Sequence, residues 1–290
     1  SNGKIPFVNY EGATATLNGG SFDRSLENGK NGNSCYTIQN HGTMTINDGV
    51  SVNNNGTHSS NITNGYFTSS EAAASSVTPT LTINGGKFSG GAATIKNDEK
   101  GILNINDGTF SNGICLIQNW NITTITNGTF IGKSGAYNGT TAAIFNGIDP
   151  GNDRAIGKLV LKGGNFTGKI DAGYPQGENL KYNSKDISIS GGTFSTDVSA
   201  YCADGYQLAQ NADGKYVAVL KTLTNGIEVK FEQVEGNAGL YNIVLKATDT
   251  NAINRLTTAD LTFKLVSNDA ITYEIKKVGD MNITANANNY

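Results

Sequence analysis

The stretch that decides the fold is residues 82–88, TINGGKF, because close copies of it recur along the chain. Residues 104–110 read NINDGTF, residues 125–130 read ITNGTF and residues 189–194 read ISGGTF. The shared pattern is an apolar residue, a variable residue, Asn, Gly or Asp, then Gly, a variable residue and Phe. Self-similarity at a short period is the signature of a repeat architecture.

Further copies of the pattern lie at residues 16–22, 45–49, 62–67 and 161–166. The phenylalanines at positions 67, 88, 110 and 130 follow one another at intervals of 20–22 residues. A period of this size, built of strands without helical stretches, is typical of one turn of a β-solenoid. We therefore predict an all-β chain folded as a right-handed parallel β-helix of about eight or nine coils.

Alternation along each predicted strand separates an inward face from an outward face. The inward face carries the repeated apolar residue, and the Phe returns the chain to the interior. The predicted structural core is Ile46, Ile83, Ile105, Ile125, Leu161, Ile189, Phe88, Phe110, Phe130, Phe166 and Phe194. Because one coil cannot bury its own apolar face, stability is expected to come from stacking between coils.

Glycine marks the corner of each predicted coil. Asn-Gly, Asp-Gly and Gly-Gly pairs supply a positive φ that residues with a Cβ adopt only with strain. We expect positive φ at Gly85, Gly108 and Gly164, and a lower melting temperature when any of them is replaced by Val. A second strand per coil is predicted at residues 36–40, 93–97, 115–119 and 142–146, each ending in Asn.

The pattern changes after Phe194. Residues 206–210 and 215–219 flank the turn NADG and predict a β-hairpin that covers the last coil. Beyond residue 221 four longer alternating segments predict a small antiparallel, sandwich-like module. The predicted domains are residues 1–195 for the β-helix, 196–221 for the capping hairpin and 222–290 for the C-terminal module, which is short enough to suggest truncation.

Composition excludes several classes of partner. The net charge is −3 and only 16% of residues are charged, so no basic surface is expected to attract nucleic acid. No run of about 18 apolar residues is present to cross a membrane. Cys35, Cys115 and Cys202 are too few and too dispersed for a disulfide framework, although one disulfide between two coils stays open. The sequence predicts no cofactor and no metal site.

The serial coils and residues 191–219 together resemble the large, adhesin-like cell-surface proteins of anaerobic gut bacteria. Those proteins carry pectate-lyase-like β-helix regions followed by sheet modules. The resemblance covers about residues 10–220, and the C-terminal segment is similar to cohesin-like or carbohydrate-binding sandwiches. It implies an extracellular or cell-surface bacterial protein, secreted, with a glycan or a host surface protein as partner.

An enzyme of the β-helix class, either a polysaccharide lyase or a glycoside hydrolase, is the alternative. Its hydrolases need paired carboxylates, yet the Asn-Thr-Asp, Asp-Asp, Gly-His-Gly and Arg-Ile-Lys motifs of that class are missing from the sequence. The nearest fragment is residues 40–42, Asn-His-Gly, and Asp149, Asp153 and Arg154 lie together in a predicted loop. Three or more carboxylates converging from adjacent coils would favour the enzyme over a non-enzymatic scaffold.

Candidate binding residues come from the outward rows and from loop aromatics. Thr45, Thr82, Asn104 and Thr124 are predicted to form an outward ladder of hydroxyls and amides that could hydrogen-bond a glycan or a protein. Further outward positions are assigned to Thr16, Asn61, Asn18, Asn47, Thr63, Asn84, Asn106 and Thr126. Trp120 and Tyr137, with Tyr36, Tyr66 and Tyr174, are placed in or near loops where a ring could stack on a sugar. Ordinary solvent-facing strands carry the same residue types, so this pattern is not specific for a ligand.

Overall fold

The computed structural model describes residues 5–24, 36–56, 59–112, 114–132, 142–149, 152–171, 185–220, 227–233, 235, 241–247, 262–266 and 272–276. The chain divides into two compact units, Ser1–Leu220 and Lys221–Tyr290. The first unit is a right-handed parallel β-helix, as the repeat predicts. Its described part contains seven coils, each with one strand in each of three parallel sheets.

The strands are short, three to five residues in most cases, and follow one another around each coil. Coil 1 contains β1 (Phe7–Asn9), β2 (Thr14–Leu17) and β3 (Gly20–Arg24); coil 2 contains β4 (Ile38–Asn40), β5 (Thr43–Ile46) and β6 (Val50–Asn54). Coil 3 contains β7 (Ile62–Asn64), helix α1 (Ser69–Ala74), β8 (Thr80–Ile83) and β9 (Lys87–Gly90); coil 4 contains β10 (Ile95–Asn97), β11 (Ile102–Ile105) and β12 (Thr109–Asn112).

The last three coils follow the same plan, with one extra hairpin. Coil 5 contains β13 (Ile117–Asn119), β14 (Ile122–Ile125) and β15 (Thr129–Gly132). Coil 6 contains β16 (Ala142–Asn146), the hairpin β17 (Ile148–Asp149) and β18 (Asn152–Ile156), then β19 (Lys158–Leu161) and β20 (Asn165–Thr167). Coil 7 contains β21 (Lys169–Asp171), β22 (Ile187–Ile189) and β23 (Thr193–Phe194).

Equivalent strands of successive coils pair in register and form three sheets. Sheet A is β1-β4-β7-β10-β13-β16-β21, and sheet B is β2-β5-β8-β11-β14-β19-β22. Sheet C is β3-β6-β9-β12-β15-β20-β23, extended by the antiparallel hairpin β25 (Tyr216–Leu220) and β24 (Tyr206–Gln210). The hairpin joins the edge through β25, and Leu208 and Tyr216 pack against the core. The predicted capping of the last coil is therefore present.

A continuous stack of aromatic rings runs through the interior under sheet C. Phe88, Phe110, Phe130, Phe166 and Phe194 are 4% exposed or less, and neighbouring ring centroids are 4.6–5.1 Å apart with nearly parallel planes. The inward residues of sheet B form a parallel stack. Its members Ile46, Ile83, Ile105, Ile125, Leu161 and Ile189 all have no exposed surface. All eleven predicted core residues thus lie inside the β-helix.

A second interior ladder consists of asparagines at the ends of the sheet A strands. Their side chains are buried and form an amide chain, with each Nδ2 donating to the Oδ1 of the next coil over 2.7–3.0 Å. The members are Asn9, Asn40, Asn64, Asn97, Asn119 and Asn146. Each Nδ2 also donates to a backbone carbonyl of the following coil, for example Asn64 to Ile102 and Asn97 to Ile122. The ladder therefore satisfies buried polar groups where the chain turns from sheet A into sheet B.

The coil count and one corner differ from the prediction. Residues 62–67 were expected to form a corner of their own, but Ile62–Asn64 is β7 of sheet A, in register with Ile38–Asn40 and Ile95–Asn97. Phe67 is 60% exposed and does not join the aromatic stack. The described part consequently has seven coils rather than eight or nine. The cause is that an Ile-Thr-Asn-Gly sequence suits either the end of a sheet A strand or the corner after sheet B.

At a corner with two adjacent glycines, the sign of φ differs between the two residues. The prediction of positive φ holds for Gly108 and Gly164, but at the Gly85-Gly86 pair only Gly86 has it. The Gly19-Gly20 corner offers a clean comparison, because a Cβ on Gly20 would meet nothing within 4 Å while its φ is 107°. Gly19 has no such φ, and a Cβ there would lie 3.8 Å from the Gly49 carbonyl oxygen.

We expect Gly20→Ala to lower the free energy of unfolding by about 1–2 kcal/mol, because the positive φ strains any residue with a Cβ. Gly19→Ala, in the same corner, is expected to stay within about 0.5 kcal/mol of the wild type. Urea unfolding of the two variants measures both values. Equal losses in the two variants would contradict the assignment of strain to Gly20.

The second unit is described by its strands alone. Strand β26 (Ile227–Gln233) pairs antiparallel with β27 (Tyr241–Ala247), and β28 (Thr262–Val266) pairs antiparallel with β29 (Thr272–Lys276). These are the four alternating segments predicted beyond residue 221. Their closure into a sandwich stays a prediction.

Candidate functional site

The four outward candidates of the sequence lie side by side on sheet B. Thr45 is in register with Thr82, Thr82 with Asn104, and Asn104 with Thr124. All four are half-buried in their row, so part of each polar side chain reaches solvent. Residues spread over 80 positions of sequence thus form one continuous row, at about 4.8 Å per coil.

Two further outward rows flank this central row. The row on one side begins with Thr14, Thr43 and Thr80 and continues with Ile102, Ile122 and Lys158. The row on the other side lies at the corner and consists of Asn18, Asn47, Asn84, Asn106, Thr126 and Lys162. We call the three rows the polar lattice. In coils 1–3 its two strand rows consist of threonine alone.

The corner row of the polar lattice is itself hydrogen-bonded. Asn47 Nδ2 donates to Asn18 Oδ1 over 2.7 Å, Asn84 Nδ2 to Asn47 Oδ1 over 2.8 Å, and Asn106 Nδ2 to Asn84 Oδ1 over 2.8 Å. Asn18, Asn84 and Asn106 are exposed and Asn47 is half-buried. Asn47 and Asn84 therefore each have one N–H and one oxygen lone pair fixed within the ladder, which leaves their second donor and acceptor directed by the same fixed amide plane.

Several predicted contact residues lie elsewhere. Trp120 is 1% exposed, so its ring is enclosed by the protein and the expectation that it stacks on a sugar is corrected. Tyr66 is also buried, at 3%. Asn61 and Thr63 were placed in the outward rows but are buried, because β7 belongs to sheet A.

Two of the aromatic candidates are not part of the described structure. Tyr137 and Tyr174 lie outside the described residues. Tyr36 is described and is half-buried. The loop aromatics named from the sequence therefore add no described exposed ring to the polar lattice.

The structure reveals a cluster that sequence reasoning missed, at the corner between sheets A and B. Residues 65–79, which we call the corner insertion, contain α1 and connect β7 to β8. The Tyr66 ring lies 5.1 Å from the His41 ring, and Tyr66 OH and Ser75 Oγ are hydrogen-bonded over 2.6 Å. Ser75 Oγ also contacts Glu11, whose carboxylate accepts the hydroxyl proton. The insertion thus ties coil 3 to coils 1 and 2.

Acidic groups surround His41 in this cluster. Burial lowers the pKa of His41, and the charges of Glu71, Glu11 and Asp98 oppose that shift. The three carboxylates come from α1, coil 1 and coil 4, and each has a partner of its own. Asp98 accepts from Thr63 Oγ1 over 3.0 Å and pairs with Lys96 Nζ at 2.9 Å, while Glu71 closes the capping box of α1. The carboxylates therefore come close to one histidine while holding the corner together.

Residues able to hold a metal or react as nucleophiles are otherwise sparse in the described structure. Among the described residues, no group of three or more His, Cys, Asp and Glu side chains could hold a metal ion. Cys115 is buried, and burial raises the pKa of its thiol, while Cys202 is half-buried; neither is in a disulfide. Asp149, Asp153 and Arg154 belong by their backbone to the hairpin β17–β18.

The chain was compared with protein families, curated proteins and solved structures. No protein-family model, no curated protein and no solved structure matches it. Within the described ranges, no helix has the length and apolar character needed to cross a membrane. Its function therefore rests on its own residues and geometry.

Proposed function

We propose that the chain is a non-enzymatic, extracellular scaffold of the adhesin-like kind, which binds glycans or host surface proteins through the polar lattice. The observation that carries this proposal is the central row of sheet B. Its hydroxyls and amides, Thr45, Thr82, Asn104 and Thr124, repeat in register over successive coils. A ligand that is itself an extended repeating polymer can use several of these groups at once.

Rigidity of the lattice supports a binding role. In coils 2–6 the outward residues of the sheet B strands alternate with fully buried neighbours, as Thr82 does with Leu81 and Ile83. The lattice is therefore fixed by the core, and the amide ladder of the corner row is fixed by its own hydrogen bonds. Preorganised groups lose little conformational entropy when a ligand binds, which improves affinity for a given set of contacts.

The extracellular location is proposed from the resemblance of residues 191–219 and the serial coils to adhesin-like surface proteins. The structure of the last coil fits the role of a terminal cap in such a scaffold. The hairpin β24–β25 pairs with β23 and blunts the end of sheet C. Strand β23 of the last coil is therefore not an open edge, and the terminal strand of sheet C at this end is β24 of the hairpin.

The test removes hydroxyls from the lattice while keeping its shape. We expect the triple variant T45V/T82V/T124V to bind a polysaccharide or host-protein ligand about tenfold more weakly, since each lost hydrogen bond contributes about 0.5–1.5 kcal/mol. The matched control is T109V/T129V/T193V, which makes the same change in one outward row of sheet C. Isothermal titration measures both. Equal loss in the two triples, or none in the lattice triple, would contradict the proposed location.

A polysaccharide lyase or glycoside hydrolase is the second candidate function, and the corner cluster is what favours it. The charges of Glu71, Glu11 and Asp98 act together on His41, so this corner combines a histidine with acidic residues. Released reducing ends or unsaturated products, abolished by His41→Gln, would establish this function. No release from any polysaccharide that binds would support the scaffold.

A further inference from the structure

Four aromatic side chains follow one another along the corner between sheets A and B. Tyr10 and His41 come directly after Asn9 and Asn40, which are in register, so they lie on adjacent coils. The His41 ring contacts the Tyr66 ring, and Phe67 follows Tyr66. The Phe67 ring lies 4.5 Å from Nζ of Lys96 in coil 4. We call these four residues the corner strip.

Two of the four rings are exposed to solvent, and the other two are buried or half-buried. Tyr10 is 72% exposed and Phe67 is 60% exposed, which makes them the two most exposed large apolar residues in the described structure. Tyr66 is buried and held by Ser75, and His41 is half-buried. From coil 1 to coil 3 the strip spans about 10 Å, two intervals of about 4.8 Å.

Polar contacts hold the residue after Tyr10 and approach the ring of Phe67. Ser75, which hydrogen-bonds Tyr66, also bonds to Glu11, the residue after Tyr10, and its carbonyl accepts from Lys100 Nζ over 2.9 Å. Lys96 approaches the Phe67 ring while paired with Asp98. Aromatic side chains dominate the energetics of interfaces, and a contiguous exposed apolar patch marks an interaction site.

The chemistry of the corner strip selects the class of ligand. An apolar ring face fits the C–H face of a sugar ring, and the exposed carboxylates of Glu11 and Glu71 can accept hydrogen bonds from sugar hydroxyls. Around the strip, Glu11, Glu71, Asp98 and Glu99 outnumber Lys96 and Lys100, and the lowered pKa of His41 favours its neutral form. The resulting negative field disfavours acidic polysaccharides.

The strip also borders the all-threonine part of the polar lattice. Residues 10–13 lead directly into β2, whose Thr14 begins the row Thr14, Thr43 and Thr80. Aromatic faces and hydroxyl rows therefore lie next to each other over the same first coils. A chain of sugars lying along the corner would meet both.

We propose that the corner strip is a stacking subsite for a neutral glycan, with Tyr10 and Phe67 as its two platforms. The inference rests on the proposed glycan-binding function and gives it a place and a ligand class. In this arrangement the rings contact the sugar faces, and the threonines of coils 1–3 bind the hydroxyls.

The test titrates the full chain with neutral mannan, xylan and β-glucan, and with polygalacturonate and polylysine as charged probes. We expect binding of at least one neutral polysaccharide, weakened about tenfold or more in Y10A/F67A. Y10F keeps the ring and is expected to bind as the wild type does. I131A, which removes an exposed apolar side chain from sheet C, is the matched surface control. Since all three positions are exposed, an unchanged melting temperature verifies that the variants fold.

The outcomes separate this inference from the proposed function. If Y10A/F67A binds as the wild type while T45V/T82V/T124V does not, the corner strip is overturned and the polar lattice stands. Stronger binding of polygalacturonate or polylysine than of any neutral polysaccharide also overturns the strip as a neutral-glycan site. If the wild type binds no neutral polysaccharide, the strip is overturned; if it also binds no host surface protein in a separate titration, the proposed function fails as well.

Discussion

Phe130→Ala is expected to lower the free energy of unfolding by about 3–5 kcal/mol, the usual cost of deleting a fully buried ring. Phe130 has no exposed surface and stacks on both sides, 4.8 Å from Phe110 and 4.6 Å from Phe166. Its removal leaves a cavity between two rigid coils that cannot move together without breaking sheet register. The loss of unfolding free energy therefore includes the free energy of transferring the ring out of water and the van der Waals contacts with both neighbouring rings.

Guanidinium unfolding followed by far-ultraviolet circular dichroism measures this effect. Ile131→Ala is the control, because Ile131 is the next residue, belongs to the same strand and is 42% exposed on the outer face. We expect this control to lose less than about 1 kcal/mol. A Phe130→Ala variant as stable as Ile131→Ala would mean that the aromatic stack does not hold the coils together.

Asn97→Ala is expected to cost about 3 kcal/mol, although it removes only a small polar side chain. Asn97 is fully buried, accepts from Asn64 Nδ2 over 2.8 Å and donates to Asn119 Oδ1 and to the Ile122 carbonyl. Without the amide these three groups each lose one hydrogen bond, although Asn64 Nδ2 keeps its bond to the Ile102 carbonyl and Asn119 Oδ1 keeps the bond from Thr123 Oγ1. A hydrogen bond contributes about 0.5–1.5 kcal/mol, so the three lost bonds together cost about 3 kcal/mol.

The exposed ladder supplies the matched control for this prediction. Asn84 accepts from Asn106 and donates to Asn47, as a ladder member does, but it is exposed. In Asn84→Ala water replaces the lost partners, so we expect a change within about 0.5 kcal/mol. Thermal and urea unfolding of the two variants compare the ladders directly. Equal losses would contradict the view that burial, rather than the ladder geometry, makes the Asn97 amide indispensable.

The repeat made most of the β-helix predictable. An apolar residue and a Phe separated by a glycine corner recur at constant spacing, and each recurrence places Ile or Leu and Phe in the interior. The central row of sheet B follows from the same alternation, because a residue beside a core position on a strand must face outward. The alignment of Thr45, Thr82, Asn104 and Thr124 therefore follows from the sequence alone.

The repeat could not predict features that depend on strand pairing and packing between coils. Ile62-Thr63-Asn64-Gly65 matches a corner in sequence but forms the end of a sheet A strand, since only its pairing with β4 and β10 distinguishes the two. Asparagine likewise has no local signal that separates the buried ladder from the exposed one. Burial of Trp120 also depends on tertiary packing, which residue type alone does not predict.

The sequence pattern could not predict the corner strip, for a related reason. Tyr10 and Phe67 are 57 positions apart in sequence, and the repeat pattern had assigned Phe67 to a corner after a sheet B strand rather than to this surface. They share one corner only because the corner insertion folds back over the ends of the sheet A strands, where Tyr66 contacts His41 and Ser75 contacts Glu11. Functional residues on irregular insertions are joined by tertiary contacts, and those contacts leave no period in the sequence.

The most direct test of the central claim measures binding of the unmodified chain to a panel of neutral and acidic polysaccharides and host surface proteins. Released sugar ends are measured in the same wells. The account predicts saturable binding to at least one member of the panel without release of reducing or unsaturated ends. Release of such ends would contradict the scaffold and identify an enzyme. Absence of binding to every member would contradict the polar lattice as a ligand surface.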